Sequence, residues 1–369
     1  MTQVSISGVE FMLDGEPTYP GREFEGYRIQ GLLFNVRAVQ AAFDDANPAT
    51  QHLWAYPDTG VWHPDRNTEE FCAALPSWRD HGVLAFTINF QGGGALYASE
   101  TYNQFDNNGF TPEGDLKPAY ADRIARVLAR ADELGMVVIV GLFYWIHVHK
   151  MRDEQAVWRA ARVALAFLKG TGHRNVLIEI ANETHARFGC DCFVPERAHE
   201  MINALRDEHP EFLYSTSLVG VNVETGSGMP TRSLVEAVDF VLLHGNGSRA
   251  PQLTAAIKAV QAMSAYQRNP KPIVINEDSP GIPNLEAAWR NGVSWGYFDQ
   301  GFGGPAAWGG DAYVDYRSCP HETRYEELSG FQTPPVNWTI NTDLERAFFT
   351  RVAEITGCRG SKGIGRRTI

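Results

Sequence analysis

The chain has 369 residues, 44% of them hydrophobic and 21% charged, and a formal net charge of −12. That acidity excludes partners held through phosphate, nucleic acid and anionic membrane surfaces alike, because both require a basic face. The length allows a large core, and α/β barrels reach this size as one unit.

The N-terminus, Met-Thr-Gln-Val-Ser-Ile-Ser-Gly, has neither the basic nor the apolar region of an export signal, and no stretch approaches the apolar length of a membrane span. A soluble, cytoplasmic protein is expected. Residues 9–20 contain Asp14-Gly15 between extended residues, a hairpin signal, and this hairpin is expected to cap a barrel floor. Residues 31–35 read as a first strand ending in Asn35, and residues 68–81 as a first helix with Thr68 as N-cap and Gly82 as its stop. The strand at 83–90 carries Asn89 near its end and precedes a helix at 119–134; a third strand follows at 136–144, ending in Tyr144. The helix at 154–169 has one apolar face, and a fourth strand spans 175–181. Strands at 212–217, 240–244, 273–276 and 293–298, with helices at 196–208, 233–237, 253–266, 284–291 and 344–355, complete the series.

Eight strands, each followed by a helix, imply a parallel sheet covered by helices, and the count favours a closed (β/α)8 TIM barrel over a doubly wound sheet. No glycine-rich phosphate fingerprint follows the first strand. One barrel over residues 1–359, followed by a flexible tail at 360–369, is expected. The segments at 37–67, 91–117, 184–195 and 301–335 are long and rich in Gly, Asn, Asp, Tyr and Trp, and they fall at the carboxyl ends of strands, where this fold builds its site. Cys72, Cys190, Cys192, Cys319 and Cys358 are odd in number and lack metal-ligand spacing; with Cys190 and Cys192 too close to bridge easily, free thiols in a reducing compartment are expected.

Two stretches carry the chemistry. Val-Leu-Ile-Glu-Ile-Ala-Asn-Glu at 176–183 and Pro-Ile-Val-Ile-Asn-Glu at 272–277 are buried-strand patterns that end in a carboxylate, which would bring Glu183 and Glu277 to one barrel mouth. Glycoside hydrolysis needs two such groups, one neutral to protonate the leaving oxygen and one ionised to attack the anomeric carbon, so one pKa is expected to rise. The chemistry calls for no cofactor and no metal. His147-Val-His149 on an extended segment could offer two rings to a metal, but no carboxylate or lysine partner set accompanies the pair.

Asn182-Glu183 at the end of strand four, with Glu277 at the end of strand seven, resembles clan A of the glycoside hydrolases, the superfamily of cellulase-like and β-galactosidase-like barrels, over roughly residues 9–356. The resemblance implies Glu183 as general acid/base, Glu277 as nucleophile and Asn182 as hydrogen-bond donor to the sugar 2-hydroxyl. It implies a contact from His244 to the nucleophile and makes Trp295 the aromatic floor of the sugar subsite, against the alternatives of a backbone-bonded core histidine and ordinary core packing. Many clan members carry an arginine at the end of strand two, which this sequence lacks; Arg37 could reach the nucleophile instead, or pair with Asp44 or Asp45. Asn35, Asn89, Tyr97, Tyr102, Asn103, Tyr144, Trp145, His147 and Tyr297 lie near predicted strand ends as candidate sugar contacts. A retaining hydrolase acting on a short glycoside or oligosaccharide is the expected function, with transglycosylation by the same residues and non-catalytic sugar binding as alternatives.

Overall fold

A computed structural model describes residues 1–93, 104–218, 220–223, 226–299, 328 and 330–358. Tyr97, Tyr102, Asn103, Cys319, the segment at 303–308 and the tail at 360–369 lie outside the described residues. The N-terminus forms a three-stranded antiparallel sheet of β1 (Val4–Ser7), β2 (Glu10–Leu13) and β3 (Glu16–Pro17). Asp14 and Gly15 both take positive φ, 53° and 85°, the two-residue turn their sequence predicts. Phe11 N–H bonds Gly31 carbonyl, and the Phe11 ring packs 6.1 Å from Phe240 just ahead of a barrel strand, so this sheet closes the barrel floor. A second small ribbon pairs β4 (Glu23–Phe24) with β5 (Tyr27–Arg28).

The barrel strands are β6 (Asn35–Arg37), β7 (Ala85–Asn89), β8 (Val137–Phe143), β9 (Val176–Ala181), β10 (Leu213–Ser215), β11 (Val241–His244), β12 (Ile273–Ser279) and β13 (Ser294–Tyr297). They pair in parallel in the order β10-β9-β8-β7-β6-β13-β12-β11. Among the described residues the ring is paired everywhere except between β10 and β11. This is the expected (β/α)8 barrel. Its first strand begins at Asn35, four residues later than the sequence suggests, because Gly31 at φ 83° turns along the floor and Leu33 N–H is taken by Ser294 Oγ at 2.8 Å.

Ten α-helices lie among the described residues, the longest being α1 (Pro64–Asp80), α2 (Pro118–Glu133), α4 (Glu154–Thr171) and α10 (Asp343–Thr356), with α3 (Trp145–Val148), α5 (Ala198–Glu208), α6 (Arg232–Ala237), α7 (Ala250–Ala262), α8 (Ser264–Arg268) and α9 (Ile282–Trp289) between them. Helix α1 starts at Pro64, where a missing N–H costs nothing, rather than at Thr68. Thr68 Oγ is instead buried and donates to Ala41 carbonyl at 2.8 Å. In α4, Asp153 caps the first turn through Ala156 N–H, Gly172 ends the helix in the left-handed region, and Val157, Ala160, Ala161, Ala164, Leu165 and Leu168 form the face laid on the core. No described helix is long and apolar enough to cross a membrane.

The loop after β6 carries an aromatic cluster of Phe43, Trp54, Tyr56 and Trp62, which Phe105 of the loop after β7 completes. Asp45 ties it to the loop after β7: its carboxylate accepts from Trp54 Nε1 and Thr50 Oγ, both at 2.6 Å, and from Asp106 N–H at 2.8 Å. Cys190 and Cys192 are joined in a disulfide, which corrects the expectation of free thiols. The one-turn 3-10 helix Asp191–Phe193 brings their Cα atoms to 5.3 Å, within bridging range despite the single intervening residue. The inference of a reducing compartment thereby loses its footing.

Glu345, on the first turn of α10, is fully buried and forms a capping box with Thr342, its Oε2 accepting from Thr342 N–H and Asn341 N–H while Oε1 has no partner. Burial pushes its pKa up to about 7. Because the folded-state pKa is raised, the stability tied to this group is full below the unfolded value near 4.5 and is lost as pH rises through 7. Glu345→Gln should therefore stabilise the fold at pH 8 by about 1 kcal/mol and give no gain at pH 4.5, as read by denaturant midpoints at the two pH values.

Candidate active site

Glu183 lies two residues past the end of β9, and its backbone enters the left-handed region at φ 55°, a conformation that costs a non-glycine residue about 1–3 kcal/mol. The segment just past β10 holds it there: Ser217 Oγ accepts from Glu183 N–H and Ser217 carbonyl from Thr184 N–H, both at 2.9 Å. Glu277 reaches the same mouth through a bulge. Leu243 pairs with Ile275 but His244 pairs with Glu277, so Asn276 is an extra residue in β12 and the inside-outside alternation resets after it. Asn276 turns into the barrel, where its Nδ2 meets Thr87 and Glu179, and Asp278 turns to the helix layer, where it accepts from Trp295 Nε1 and Asn284 Nδ2.

One carboxylate oxygen of Glu183, one of Glu277 and a ring nitrogen of His244 lie within 4.8 Å of one another. Arg37, on β6, places Nε 2.6 Å from Glu277 Oε2 and donates through Nη2 to Asn182 Oδ1. Of the alternatives open to Arg37 in the sequence, pairing with the strand-seven carboxylate is the one the fold realises; Asp44 is taken by Arg123 and Asp45 by the loop brace. His244 Nδ1 lies 3.2 Å from Glu183 Oε1 and 3.6 Å from Glu277 Oε2. Asn246 bridges the pair, its Nδ2 donating to Glu277 Oε1 at 2.6 Å and to Glu183 Oε1 at 3.2 Å.

These contacts set the charges. Burial would draw the His244 imidazole down, but Glu277, Glu179 and Glu183 outweigh it and raise the ring to about 9. Burial likewise works against an ionised Glu183, yet the His244 hydrogen bond and charge, helped by Arg37, hold its carboxyl below the usual carboxylate range. The expectation that one of the two glutamates rises is therefore corrected for Glu183 in the free site: the proton sits on the ring next to it. Glu183, His244 and Glu277 also have the composition of a cation site, with the Arg37 guanidinium already supplying positive charge to Glu277.

The remaining predicted residues divide sharply. Tyr144 lies at the mouth against Gly93, with its N–H on Gln91 Oε1. Trp295 and Tyr297 do not face the mouth. Two apart on β13, they share its outer face and pack against Phe348 of α10 at 5.8 and 5.0 Å, both fully buried. Asn35 is buried near the floor against Gly296, and Asn89 lies against Gly141, level with Glu179 and beneath the mouth. His147 is fully buried with Nε2 2.7 Å from Gly92 carbonyl, and burial lowers its pKa to about 3, so it is a neutral brace for the loop after β7. The helical turn of α3 also separates it from His149, which is exposed and meets Arg187 carbonyl at 2.6 Å; the extended pairing needed for two metal-facing rings does not form.

Sequence reasoning missed Asn246, which sits in a Gly-Asn-Gly turn with nothing to mark it, and Glu179. Glu179 had a signal: it is the lone charge inside an otherwise apolar strand. Beside Asn246 opens a cavity of about 390 Å³ whose described lining includes Val221, Asn222, Ser227, Ser248 and Gln252, none of them charged.

No protein-family model and no curated protein sequence matches the chain. Solved structures do resemble it. A glycoside hydrolase family 5 mannosidase from Rhizomucor miehei, crystallised with mannosyl-fructose, superposes with a TM-score of 0.51 at 12% identity, over 97% of this chain and 98% of that one. A β-1,4-D-mannanase from Cryptopygus antarcticus gives 0.48 at 14% identity over 80% of this chain and 88% of its own. The chain thus shares the (β/α)8 barrel fold of the Rhizomucor miehei mannosidase, and the resemblance to clan A read from the sequence holds at the level of that fold.

Proposed function

We propose that the chain is a retaining glycoside hydrolase in which Glu277 is the nucleophile and Glu183 the general acid/base. The observation that carries the reading is that Glu183 and Glu277 bring carboxylate oxygens to within 4.8 Å of each other at the strand ends, an approach that favours the closely spaced pair of a retaining site over the wider pair of an inverting one. The two carboxylates also differ in the way the reaction requires. Glu277, with an 8% exposed side chain, is gripped by Arg37; Glu183, at 16%, is the wetter of the two and adjoins a proton on His244. A sugar over the site removes water from Glu183, which favours its neutral form and draws the proton across the 3.2 Å from His244 Nδ1. Glu277 then forms a bond to the anomeric carbon as the bond to the leaving oxygen breaks and that oxygen takes the Glu183 proton. In the second step Glu183 takes a proton from water, the water oxygen bonds the anomeric carbon, and Glu277 leaves. Asn182, its Oδ1 held by Arg37, keeps Nδ2 for the sugar 2-hydroxyl. The described lining of the cavity beside Asn246 is polar, with Asn222, Ser227, Ser248 and Gln252, and suits the hydroxyls of a short glycoside.

Hydrolysis of a panel of aryl and alkyl α- and β-glycosides tests this, with mannosides included on the strength of the Rhizomucor miehei likeness. The acid role predicts a particular pattern for Glu183→Ala. Its kcat/KM should fall on the order of 10²–10⁴-fold for alkyl glycosides but less than about tenfold for 2,4-dinitrophenyl glycosides, whose leaving group needs no proton. Equal losses for both leaving groups would remove Glu183 from the acid role.

A further inference from the structure

Glu179 is a third carboxylate in the barrel that the two-step chemistry does not use. It occupies the middle of β9 and is fully buried. Placing a carboxylate there is costly, and an apolar residue would fill the space more cheaply. Its surroundings are specific. Ser217 Oγ donates to Oε1 at 2.7 Å and Asn276 Nδ2 to Oε2 at 3.1 Å, which fixes the carboxylate beneath the mouth. Arg37 Nη1 lies 3.7 Å from Oε2 and His244 Nε2 3.7 Å from Oε1. Those two nitrogens are buried and have no hydrogen-bond partner, so each cation touches a mouth glutamate with one end and faces Glu179 with the other.

We propose that Glu179 is a positioning residue: its carboxylate is the counter-ion that holds the Arg37 guanidinium on Glu277 and the His244 ring on Glu183. The charged groups around His244 are Glu179 on β9, Glu183 just past it, Glu277 on β12, Arg37 on β6 and, from the helix side of β12, Asp278. Of these, Glu179 alone approaches Nε2, while Glu183 and Glu277 share Nδ1. Glu179 keeps its own carboxyl below the usual range although burial opposes it, because His244, Arg37 and Ser217 outweigh the burial. The kinetic half of the proposal rests on the glycosidase reading; the electrostatic half does not.

Glu179→Gln removes the charge and keeps the shape. Asn276 Oδ1 has no partner, so turning that amide over supplies an acceptor for the new NH₂ group. NMR titration of the His244 ring in the ligand-free protein is the first measurement. The wild-type ring should be an imidazolium at pH 7.5, and in Glu179→Gln its pKa should fall by at least about one unit. On a substrate of the wild-type enzyme, kcat should fall roughly 10- to 100-fold with KM within about threefold, and the alkaline limb of kcat/KM should move to lower pH together with the ring. A folded Glu179→Gln protein in which the His244 titration and the alkaline limb are unchanged would overturn the proposal and leave Glu179 a packing residue. Should Glu179→Gln not fold, Glu179→Asp, which keeps the charge, must fold and retain the imidazolium at pH 7.5; a neutral ring there, or in the wild type, overturns it equally. If no glycoside is turned over, the glycosidase reading fails while the NMR titration still decides the role of Glu179.

Discussion

Glu277→Ala loses turnover, with kcat/KM down on the order of 10⁴-fold or more, and keeps its fold. The two halves of that result have separate physical grounds. The loss follows because, among the described residues, no other carboxylate can take the nucleophile's place: Glu183 lies across the mouth beside His244, and Glu179 is fully buried beneath it. The fold survives because Arg37 keeps Asn182 and Glu179 as partners once Glu277 is gone, and the cavity left by the side chain opens to the wet mouth. Azide separates nucleophile from acid. In Glu277→Ala the anion can enter the vacated space and bond the anomeric carbon from the nucleophile's side while Glu183 protonates the leaving oxygen, giving a glycosyl azide of inverted configuration. In Glu183→Ala the azide attacks a glycosyl-enzyme already formed on Glu277, and the product retains configuration. Exchange of the two outcomes would exchange the two roles, and near-normal turnover by Glu277→Ala would remove it from the chemistry.

The sequence made strand ends legible and strand faces illegible, and the reason is physical. A parallel strand inside a barrel is buried on both sides, so Val-Ile-Asn-Glu and Val-Ser-Trp-Gly-Tyr carry no hydrophilic alternation to show which residues point inward. Glu183 and Glu277 were found because they end their apolar runs. Trp295 and Tyr297 were misplaced because their face depends on parity, which the fold resolves by setting Gly296 against Asn35 inside and the two rings against Phe348 outside. The bulge at Asn276 is a further obstacle. An unbroken alternation would send Asn276 and Glu277 to opposite faces, yet both face inward. His147 was misread for a related reason: the chain leaves β8 in a helical turn, and period two does not apply. Arg37 lay past the predicted end of its strand, and only the start at Asn35 brings it into register with Thr87, two positions above the floor and facing Glu277.

Arg37→Met should destabilise the fold by about 3–5 kcal/mol at pH 7.5, the expected cost of leaving buried charge without its partner. The guanidinium is 3% exposed and serves three groups at once: Glu277 through Nε, Asn182 through Nη2 and Glu179 through Nη1. Without it, Glu179 has His244 as its one cation among the described residues, and that ring already serves Glu183 and Glu277. The pH dependence identifies the cause. In the wild type, Glu179 has a lowered pKa, so its contribution is present above the unfolded value near 4.5 and lost as pH falls through the folded one. In Arg37→Met burial acts with less opposition, the Glu179 pKa rises, and the sign reverses: the variant gains relative stability as pH falls. The gap between the two urea midpoints should therefore be widest near pH 7.5 and narrow toward pH 5. Arg37→Lys should recover a large part of the stability, since one positive charge returns, but little of the activity, because an ammonium cannot place donors on Glu277, Asn182 and Glu179 together. A gap that stays constant from pH 5 to 7.5 would mean that Arg37 stabilises by packing alone, and the charge linkage from Glu179 through Arg37 to the nucleophile would have to be given up.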